Sequence, residues 1–347
     1  MKNFISIDDM SKYKTIAVMY GSDSSEWEVS CRSGEFVAAN ISLQDYDVYE
    51  IFARKGRWSL TAMRRSNSMR VPFPEEARPE IDKTDFSVSV MGEKVHFDFV
   101  YIVQHGFPGE TGQLQGYLEM IGIPYSSCSS FVSAVAFDKY SCKSYLKGTG
   151  IVKLAQDAII RKGDDIEAFR ATVLEKTGLP VFVKPTTAGS SFGITRVDDP
   201  SALVPAIRYA FSESDMVLVE KEIRGREITC AAYRTADGIH TLPLIEIISE
   251  NEYFDYDAKY NGRSREVCPA EVPESLAAEV SGITRKIYSH FGCRGVVRMD
   301  YIASEEGVFF LEINTIPGMT GASLVPRMIR TAGIDMSDFL TSIIEAD

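Results

Sequence analysis

The sequence predicts an α/β protein whose domains enclose a cleft, and three observations support this prediction. The chain has 347 residues, too many for one ordinary hydrophobic core and enough for about two or three domains. Short apolar runs typical of buried strands alternate with segments of helical spacing. One such run, residues 98–105, opens into a glycine-rich loop, and open parallel sheets bind ligands at this end of their strands.

The N-terminal part predicts a parallel α/β arrangement. Residues 14–21 have the pattern of a buried strand, and the Ser/Asp-rich start of residues 22–41, followed by apolar spacing, predicts a loop and a helix. Further strands are predicted at 47–53, 86–90 and 98–105, and a helix near 113–122. We therefore expect a ligand-binding loop at residues 106–112, directly after a strand.

The rest of the chain predicts a mixture of helices and strands. The predicted helices are 131–148, 165–178, 199–214 and 275–291, and the predicted strands lie within 153–162, 179–185, 216–223, 226–235 and 239–248. Asp237-Gly238 is a hairpin signal between the last two strands, and Gly292 ends the last helix. Residues 249–267 are polar, aromatic and too long for a simple connector, so they predict a mobile loop over a site.

Composition excludes several classes of protein. Lys and Arg number 37 against 49 Asp and Glu, a formal net charge of −12, which argues against a nucleic-acid or anionic-membrane surface. The six cysteines show no CxxC spacing and are expected to be reduced thiols. The N-terminus carries Asp8 and Asp9 where a signal peptide needs apolar residues. We expect a cytoplasmic protein that binds neither nucleic acid nor a membrane.

The segment RMDYIASEEGVFFLEIN, residues 298–314, predicts a β-hairpin with its turn at residues 304–307. Polar residues occupy every second position of both strands and therefore project from one face. These residues are Arg298, Asp300, Glu312 and Asn314. The opposite, apolar face is expected to contain Val297, Met299, Tyr301, Phe309, Leu311 and Ile313.

The polar face of this hairpin is a candidate metal site. Asp300, Glu312 and Asn314 supply two acids and an amide, which are oxygen ligands that hard divalent cations prefer. Three protein ligands leave positions open for nucleotide phosphates, as Mg²⁺ requires. The alternative is a solvated outer face, which shows the same alternation. The turn-rich segment 315–320 favours the metal interpretation, because an idle surface strand needs no such continuation.

A second candidate site lies in LPVFVKPTTAGSSFGI, residues 179–194. Lys184 ends a short apolar strand, and the loop after it contains Ser190 and Ser191 between glycines, which offer N–H and hydroxyl donors to a phosphate chain. The alternative is a surface loop with a snorkelling lysine. The GxxxxGK[ST] motif is absent from the sequence, which excludes the P-loop arrangement.

Charged residues at the end of the predicted strand 216–223 are a weaker signal. Glu220 and Glu227 suit ribose hydroxyls or an adenine amine, and Lys221 suits ring nitrogens. Surface ion pairing explains such charges equally well. The four histidines show no metal-ligand spacing, although His105 stands at a strand end.

The order of these motifs resembles the ATP-grasp fold and, more closely, the D-alanine–D-alanine ligases. The resemblance is carried by SSEWEVS (24–30), HGFPGETGQLQG (105–116), GIPYSSC (122–128), FDKYSCK (137–143), FVKPTTAGSSFG (182–193), EKEIRGRE (220–227), FDYDAKYN (254–261), GCRGVVRMD (292–300) and LEINTIPGMTGASLVP (311–326). These segments run through almost the whole chain in family order, so they are specific as a set.

The resemblance implies a three-domain ATP-grasp fold. An N-terminal parallel α/β domain would span 1–127, and two α+β domains clasping ATP would span 128–220 and 221–347. It implies ATP-dependent ligation of two D-alanines through an acyl phosphate for peptidoglycan precursor synthesis. It also implies two Mg²⁺ or Mn²⁺ ions and a homodimer.

Roles for individual residues follow from the same resemblance. Nucleotide contacts are implied for Lys139, Lys184, Ser191, Glu220, Lys221, Ile223, Glu227 and Lys259. Metal ligation is implied for Asp300, Glu312 and Asn314. Glu26 and His105 are placed near the first D-alanine, Ser190 and Tyr260 in a hydrogen-bonded link with Glu26, Arg298 and the Gly318 N–H at the oxyanion, and Ser323 and Leu324 at the second D-alanine.

Two positions depart from the family's pattern. Many members have an acidic residue where this chain has Ala188, and Asp where it has Thr111, which affects how a lid closes rather than the reacting groups. Alternatives within the fold are ligases that make D-alanyl-D-lactate or D-alanyl-D-serine. A non-catalytic nucleotide-binding protein is a further alternative, against which the intact polar hairpin argues. Tyr260 in the predicted lid favours the peptide product.

Overall fold

The computed structural model describes residues 14–66, 68–187, 189, 192–249 and 264–346. Within these ranges the chain forms four β-sheets and nine α-helices. The N-terminal strands are β1 (Thr15–Gly21), β2 (Asp47–Arg54), β3 (Arg57–Arg64), β4 (Val71–Pro72), β5 (Ile81–Asp82), β6 (Ser87–Val90), β7 (Glu93–His96) and β8 (Phe99–Ile102), with helices α1 (Trp27–Asn40) and α2 (Gln113–Ile121).

The N-terminal sheet is parallel at its centre. Its strand order is β4-β3-β2-β1-β8, with β1 parallel to β2 and β8 and with β3 antiparallel to β2. A smaller antiparallel sheet, β5-β6-β7, lies beside it. The predicted elements β1, α1, β2, β6, β8 and α2 are confirmed. The sequence pattern missed β3, β4, β5 and β7, which are short or mix charged with apolar residues.

The middle of the chain contains an antiparallel sheet with two helices on it. Its elements are α3 (Ser130–Phe137), α4 (Lys139–Leu146), β9 (Asp157–Arg161), α5 (Ile166–Lys176), β10 (Val181–Pro185), β11 (Thr195–Val197), α6 (Leu203–Ala210) and β12 (Met216–Lys221). The strand order is β11-β10-β12-β9. Val173 on α5 and Ile207 on α6 pack against Val183 and Val219 of the sheet.

Two predicted helices of this region differ from those observed. The predicted helix 131–148 is two helices, because Asp138 has extended backbone angles and its carboxylate accepts a hydrogen bond from the Ser141 N–H at 2.7 Å. Asp138 therefore ends α3 and caps α4. The predicted helix 199–214 is shorter, since a turn of 3-10 helix at Pro200–Ala202 precedes α6.

The C-terminal part builds a larger antiparallel sheet. Its elements are β13 (Arg226–Thr235), β14 (Gly238–Thr241), β15 (Ile245–Ser249), β16 (Ser264–Val267), α7 (Glu274–Phe291), β17 (Val297–Ser304), β18 (Gly307–Asn314), α8 (Leu324–Thr331) and α9 (Met336–Ile344). The strand order is β16-β15-β13-β17-β18, and β14 pairs with β13. The predicted helix ending at Gly292, which has a φ of +66°, is confirmed.

The predicted strand 239–248 is two strands, both paired with β13. Pro243 lies between them and has no N–H to donate, so the ladder is interrupted there. The predicted loop 249–267 also differs in part, because Ser264–Val267 forms β16 against β15. Residues 250–263 of that loop lie outside the described residues.

The predicted hairpin forms, but its alternation is broken by a β-bulge. Asp300 pairs with Glu312, whereas Tyr301 pairs with Phe310, so Leu311 is an extra residue on β18. The predicted placement of Phe309 and Leu311 on the same face as Tyr301 was therefore wrong. Phe310 joins the hydrophobic cluster that contains Tyr301, whereas Phe309, itself buried, and Leu311 line the cleft without belonging to that cluster.

One hydrophobic core joins the N-terminal sheet to the C-terminal helices. Ile16 and Val18 on β1, covered by α1, belong to the same cluster as Met328 on α8 and Phe339 on α9. The other face of the sheet packs against α2 and the small sheet. The loops after β1 and β8 consequently face the β17-β18 hairpin across a cleft. No helix in the described ranges has the length and apolar character needed to span a membrane.

Candidate active site

A cleft of about 900 Å³ lies where the three regions meet, and most of the predicted site residues line it. Those lining it are Glu26, His105, Lys139, Lys184, Glu220, Lys221, Ile223, Glu227, Arg298, Asp300, Glu312, Asn314, Gly318 and Leu324. Ser323 is adjacent, since a Cβ on Gly318 would lie 3.0 Å from its Oγ. Ser190, Ser191, Lys259, Tyr260 and Ala188 lie outside the described residues.

The polar hairpin face is centred on Asp300. The Arg298 guanidinium donates to both Asp300 oxygens, at 3.0 and 2.9 Å, and the Asn314 amide donates to Oδ2 at 3.2 Å. Thr229, which pairs with Asp300 across β13 and β17, donates its hydroxyl to Oδ1 at 2.6 Å. Burial lowers the pKa of Arg298, but Asp300 and Glu312 outweigh it and raise this pKa above its ordinary value. Asp300 is therefore a fixed, charge-compensated carboxylate.

Glu312 faces the same cleft and holds a cation from another region. Lys139, the first residue of α4, places its Nζ 2.8 Å from Glu312 Oε2. Burial lowers the pKa of Lys139, yet Glu312 raises it to a value above the ordinary one. The side chain is therefore an ammonium, and it links the middle region to the hairpin.

The chemistry of these donors fits a hard divalent cation. Two carboxylates and an amide, Asp300, Glu312 and Asn314, project from paired positions of adjacent strands. Within the described ranges, no group of three or more His, Cys, Asp and Glu is arranged to hold a metal; the present set contains two acids and an amide and is not such a group.

A buried lysine that sequence reasoning missed completes the basic wall of the cleft. Glu220, only 3% exposed, accepts from Lys184 Nζ at 2.8 Å and forms an ion pair with Lys143. Burial, reinforced by Lys184, lowers the pKa of Lys143 to about 7. Its signal was in FDKYSCK: Lys143 follows Lys139 by four residues, so on one helix both face the same way.

Part of the cleft wall is apolar. Phe182, Ile302, Phe309 and Leu311 line it beside the charged residues at the end of β12. Arg196 holds Glu222 there through two hydrogen bonds of 2.7 and 3.2 Å. Apolar walls with a polar rim suit a planar heteroaromatic ring.

The N-terminal wall carries two carboxylates. Glu26 immediately precedes α1, and a Cβ on Gly189 would lie 2.9 Å from its Oε2, so the glycine-rich loop reaches this residue. Glu110, which sequence reasoning did not single out although it lies in HGFPGETG, accepts the Gly106 N–H at 2.7 Å. Burial and the charge of Glu26 raise the pKa of Glu110 to about 8. Thr111, one of the departures noted above, hydrogen-bonds to Gln113.

Comparison with known proteins identifies the family. The family model for the D-ala D-ala ligase N-terminus matches residues 15–128, and that for the D-ala D-ala ligase C-terminus matches residues 146–345. The D-alanine–D-alanine ligase of Phocaeicola vulgatus is 46% identical over 333 residues, covering 96% of this chain and 98% of that protein. That of Parabacteroides distasonis is 43% identical, covering 96% and 97%.

Similarity to solved structures supports the same family assignment. The VanG D-Ala:D-Ser ligase from Enterococcus faecalis superposes with a TM-score of 0.84 at 29% identity, covering 96% of this chain and 99% of that one. D-alanyl-alanine synthetase A from Vibrio cholerae gives 0.82 at 27% identity, covering 96% and 98%. The ATP complex of the Bacillus anthracis D-alanine–D-alanine ligase gives 0.74 at 28%, covering 96% and 97%. The predicted ATP-grasp fold is confirmed, and the chain belongs to the D-alanine–D-alanine ligase family.

Proposed function

We propose that this protein joins two D-alanines into D-alanyl-D-alanine, with ATP as the energy source and an acyl phosphate as intermediate. The observation that carries the proposal is the constellation of Asp300, Glu312, Asn314 and Arg298 on one hairpin face, opposite Glu26 across a single cleft. Relatives named D-alanine–D-alanine ligase support the choice of substrate, since they match along almost the whole chain. The product would supply peptidoglycan precursor synthesis in the cytoplasm.

ATP fits the part of the cleft between the middle region and the hairpin. Lys139 and Lys184 are the proposed phosphate contacts, because each forms an ion pair with a carboxylate that lines the cleft. The adenine and ribose would contact Glu220, Lys221, Ile223 and Glu227 beside the apolar part of the cleft wall. Ser191 and Lys259 remain proposed nucleotide contacts on the strength of the family resemblance.

Magnesium, or manganese in its place, would be held by Asp300, Glu312 and Asn314, with Glu312 placed between the other two. Two such ions are proposed. When bound, they would supply positive charge against the triphosphate. The chain's own contribution is to fix the ligands, through Thr229 and Arg298 on Asp300 and Lys139 on Glu312.

The first reaction step transfers the γ-phosphoryl group to the carboxylate of the first D-alanine. Two anions must approach, so the lysines that neutralise the phosphates and the groups that orient the substrate provide the catalysis. Glu26 suits the ammonium of this D-alanine because it is a carboxylate on the N-terminal wall. Ser190 and Tyr260 are proposed to link with Glu26 over the substrate.

The second step is attack of the amine of the second D-alanine on the acyl carbon, with release of phosphate. The tetrahedral intermediate carries an oxyanion, for which Arg298 and the Gly318 N–H are the proposed donors. Ser323, which lies next to Gly318, and Leu324, the first residue of α8, are the proposed contacts of the second D-alanine. Exclusion of water by residues 249–267 would protect the acyl phosphate from hydrolysis.

A second candidate function is ligation of D-alanine to D-serine. The observation that favours it is the similarity to the VanG D-Ala:D-Ser ligase, whose TM-score is 0.84. The names and the higher identities of the curated relatives favour the D-alanyl-D-alanine product. We propose a homodimer by analogy with the family, and retain 1–127, 128–220 and 221–347 as the proposed domain boundaries.

Product analysis tests the proposal. We expect phosphate release that requires both ATP and D-alanine, and almost exclusively D-alanyl-D-alanine from equal D-alanine, D-serine and D-lactate at neutral pH. Tyr260→Phe removes one hydroxyl bond worth ~0.5–1.5 kcal/mol, so it should slow turnover moderately. A predominance of the serine or lactate product would overturn the specificity, and no ATP turnover with any of the three would overturn the ligase activity.

A further inference from the structure

His105 and Ser33 form a buried hydrogen-bonded ring with one turn of the C-terminal region. His105 Nε2 lies 3.0 Å from Ser33 Oγ, and His105 Nδ1 lies 3.1 Å from the Ile316 carbonyl oxygen. The Met319 N–H donates to Ser33 Oγ at 3.3 Å. Ser33 is 0% exposed and His105 is 5% exposed. The ring therefore begins and ends on the turn 316–319.

The partners fix where the protons lie. A carbonyl oxygen can only accept, so Nδ1 of His105 carries a proton and donates it to Ile316. Ser33 Oγ already accepts from Met319, so its hydroxyl proton is available for Nε2 of His105, which accepts it when the imidazole is neutral. Burial lowers the pKa of His105, against the opposing effect of Glu26, and this favours the neutral ring.

Gly318 lies inside the ring, between the two backbone groups that the ring holds. Ile316 is held by its carbonyl and Met319 by its N–H, so the peptide that carries the Gly318 N–H, the proposed oxyanion donor, has both neighbouring peptides fixed. Gly318 itself lines the cleft. The connection spans 286 residues of sequence between Ser33 and Met319. It ties α1 of the N-terminal region to the proposed oxyanion donor.

We propose that Ser33 and His105 are positioning residues that hold the Gly318 N–H in place, and that His105 is neither a substrate ligand nor an acid–base group. This inference rests on the proposed function, and it replaces the substrate contact that the family resemblance implies for His105. Both ring nitrogens are engaged by the protein itself, which leaves neither one for the first D-alanine. Ser33 is a site that the sequence motifs alone did not single out.

The first test is spectroscopic and does not depend on activity. In protein labelled with ¹⁵N-histidine, the signal assigned to His105 by its loss in His105→Gln should show a protonated Nδ1 and an unprotonated Nε2. It should remain neutral from about pH 8 down to about pH 5.5, below the ordinary histidine pKa of about 6.5. A protonated Nε2 in a neutral ring, titration near pH 6.5, or a tautomer change on adding D-alanine would overturn the assignment.

The second test is kinetic and uses a matched serine on the same helix. Ser33→Ala breaks the ring and should displace the oxyanion donor. Because this donor stabilises the transition state rather than the bound substrates, we expect kcat to fall about 10- to 100-fold with little change in the KM values for ATP and D-alanine. Ser30 is equally buried and links the Val103 carbonyl and the Gly21 N–H at 2.6 and 3.0 Å, away from the turn 316–319. Ser30→Ala should leave kcat within about threefold of the wild type, since none of its bonds reaches the oxyanion donor.

His105→Asn and His105→Gln separate the two ends of the ring. Asn places an amide N–H near the position of Nδ1 and can keep the bond to Ile316, so it should retain more kcat than Gln. A Ser33→Ala kcat equal to that of Ser30→Ala, or a raised KM for D-alanine at unchanged kcat, would overturn the positioning role. If the wild type fails to ligate D-alanine while the spectra show the expected tautomer, the proposed function is rejected but the hydrogen-bonded ring is supported.

Discussion

Thr229→Val is a direct test of the proposed magnesium site, because Thr229 orients Asp300 without lining the cleft. Its hydroxyl donates to Asp300 Oδ1 at 2.6 Å, and the side chain is 0% exposed. Valine has nearly the same shape, so the substitution removes one hydrogen bond and leaves no cavity. A hydrogen bond to a charged group contributes about 1.5–3 kcal/mol. Asp300 keeps its bonds from Arg298 and Asn314, so we expect a loss of about 1.5–2 kcal/mol in the free energy of unfolding.

The same change should weaken metal binding more than it weakens the fold. Loss of a group that orients a ligand typically lowers metal affinity about 10- to 100-fold. The Mg²⁺ concentration that gives half-maximal phosphate release should rise by that factor for Thr229→Val. Urea unfolding in the presence of a chelator measures the free energy of unfolding without bound metal. The loss of stability is thereby separated from the loss of metal affinity.

Thr284→Val is the matched control. Thr284 is equally buried, but its hydroxyl bonds the Val280 carbonyl and the Tyr301 hydroxyl, both at 2.8 Å, and no carboxylate. It should lose about 0.5–1.5 kcal/mol of stability with an unchanged Mg²⁺ requirement. If Thr229→Val shows the same half-saturating Mg²⁺ as Thr284→Val, Asp300 is not a metal ligand.

Two further substitutions in the cleft and a pair of glycine substitutions test other parts of the molecule. Glu312→Gln should lower turnover at saturating Mg²⁺ by about 100-fold or more with the fold intact, since shape is kept and charge removed; unchanged turnover would reject its role. Lys184→Ala should raise the KM for ATP, and normal ATP affinity with normal phosphate release would exclude a phosphate contact. Gly295→Ala should lower the free energy of unfolding by about 2–4 kcal/mol, because φ is +63° and a Cβ would overlap the Ser126 carbonyl oxygen, whereas helical Gly282→Ala should raise it by about 0.5–1 kcal/mol. Equal urea midpoints for the two glycine variants would contradict this.

The polar hairpin face was predictable because its information is local. Alternation within residues 298–314 places Arg298, Asp300, Glu312 and Asn314 together, and β17 pairs with β18 in the register that this requires. The bulge at Leu311 was not predictable, since the same letters fit an unbroken alternation. Tertiary packing places Phe310 rather than Phe309 in the cluster around Tyr301, and only the fold shows this.

Other residues of the site were missed because their partners are distant in sequence. Thr229 meets Asp300 across 71 residues, and Ser33 meets Met319 across 286. Serine and threonine in a helix or strand have no local pattern that marks such a contact, so strand order and domain packing must be known first. Lys143 is an intermediate case, since its spacing from Lys139 was visible but its burial against Glu220 was not.

Three lysines of the cleft form ion pairs with two carboxylates, an arrangement that suits the proposed binding of a polyphosphate. Lys139 forms an ion pair with Glu312, and Lys184 and Lys143 form ion pairs with Glu220. Glu312 and Glu220 belong to different sheets. An uncompensated buried charge costs several kcal/mol, so Glu312 keeps Lys139 ionised, and Glu220 holds Lys184 and Lys143 in position although burial lowers the pKa of Lys143 to about 7. A phosphate chain that enters exchanges one anionic partner for another and does not have to create ammonium groups in a buried site. Glu312 is both the ion-pair partner of Lys139 and a proposed metal ligand, so phosphate and cation would compete with the same ion pair. We therefore expect nucleotide binding and metal binding to be coupled in both directions.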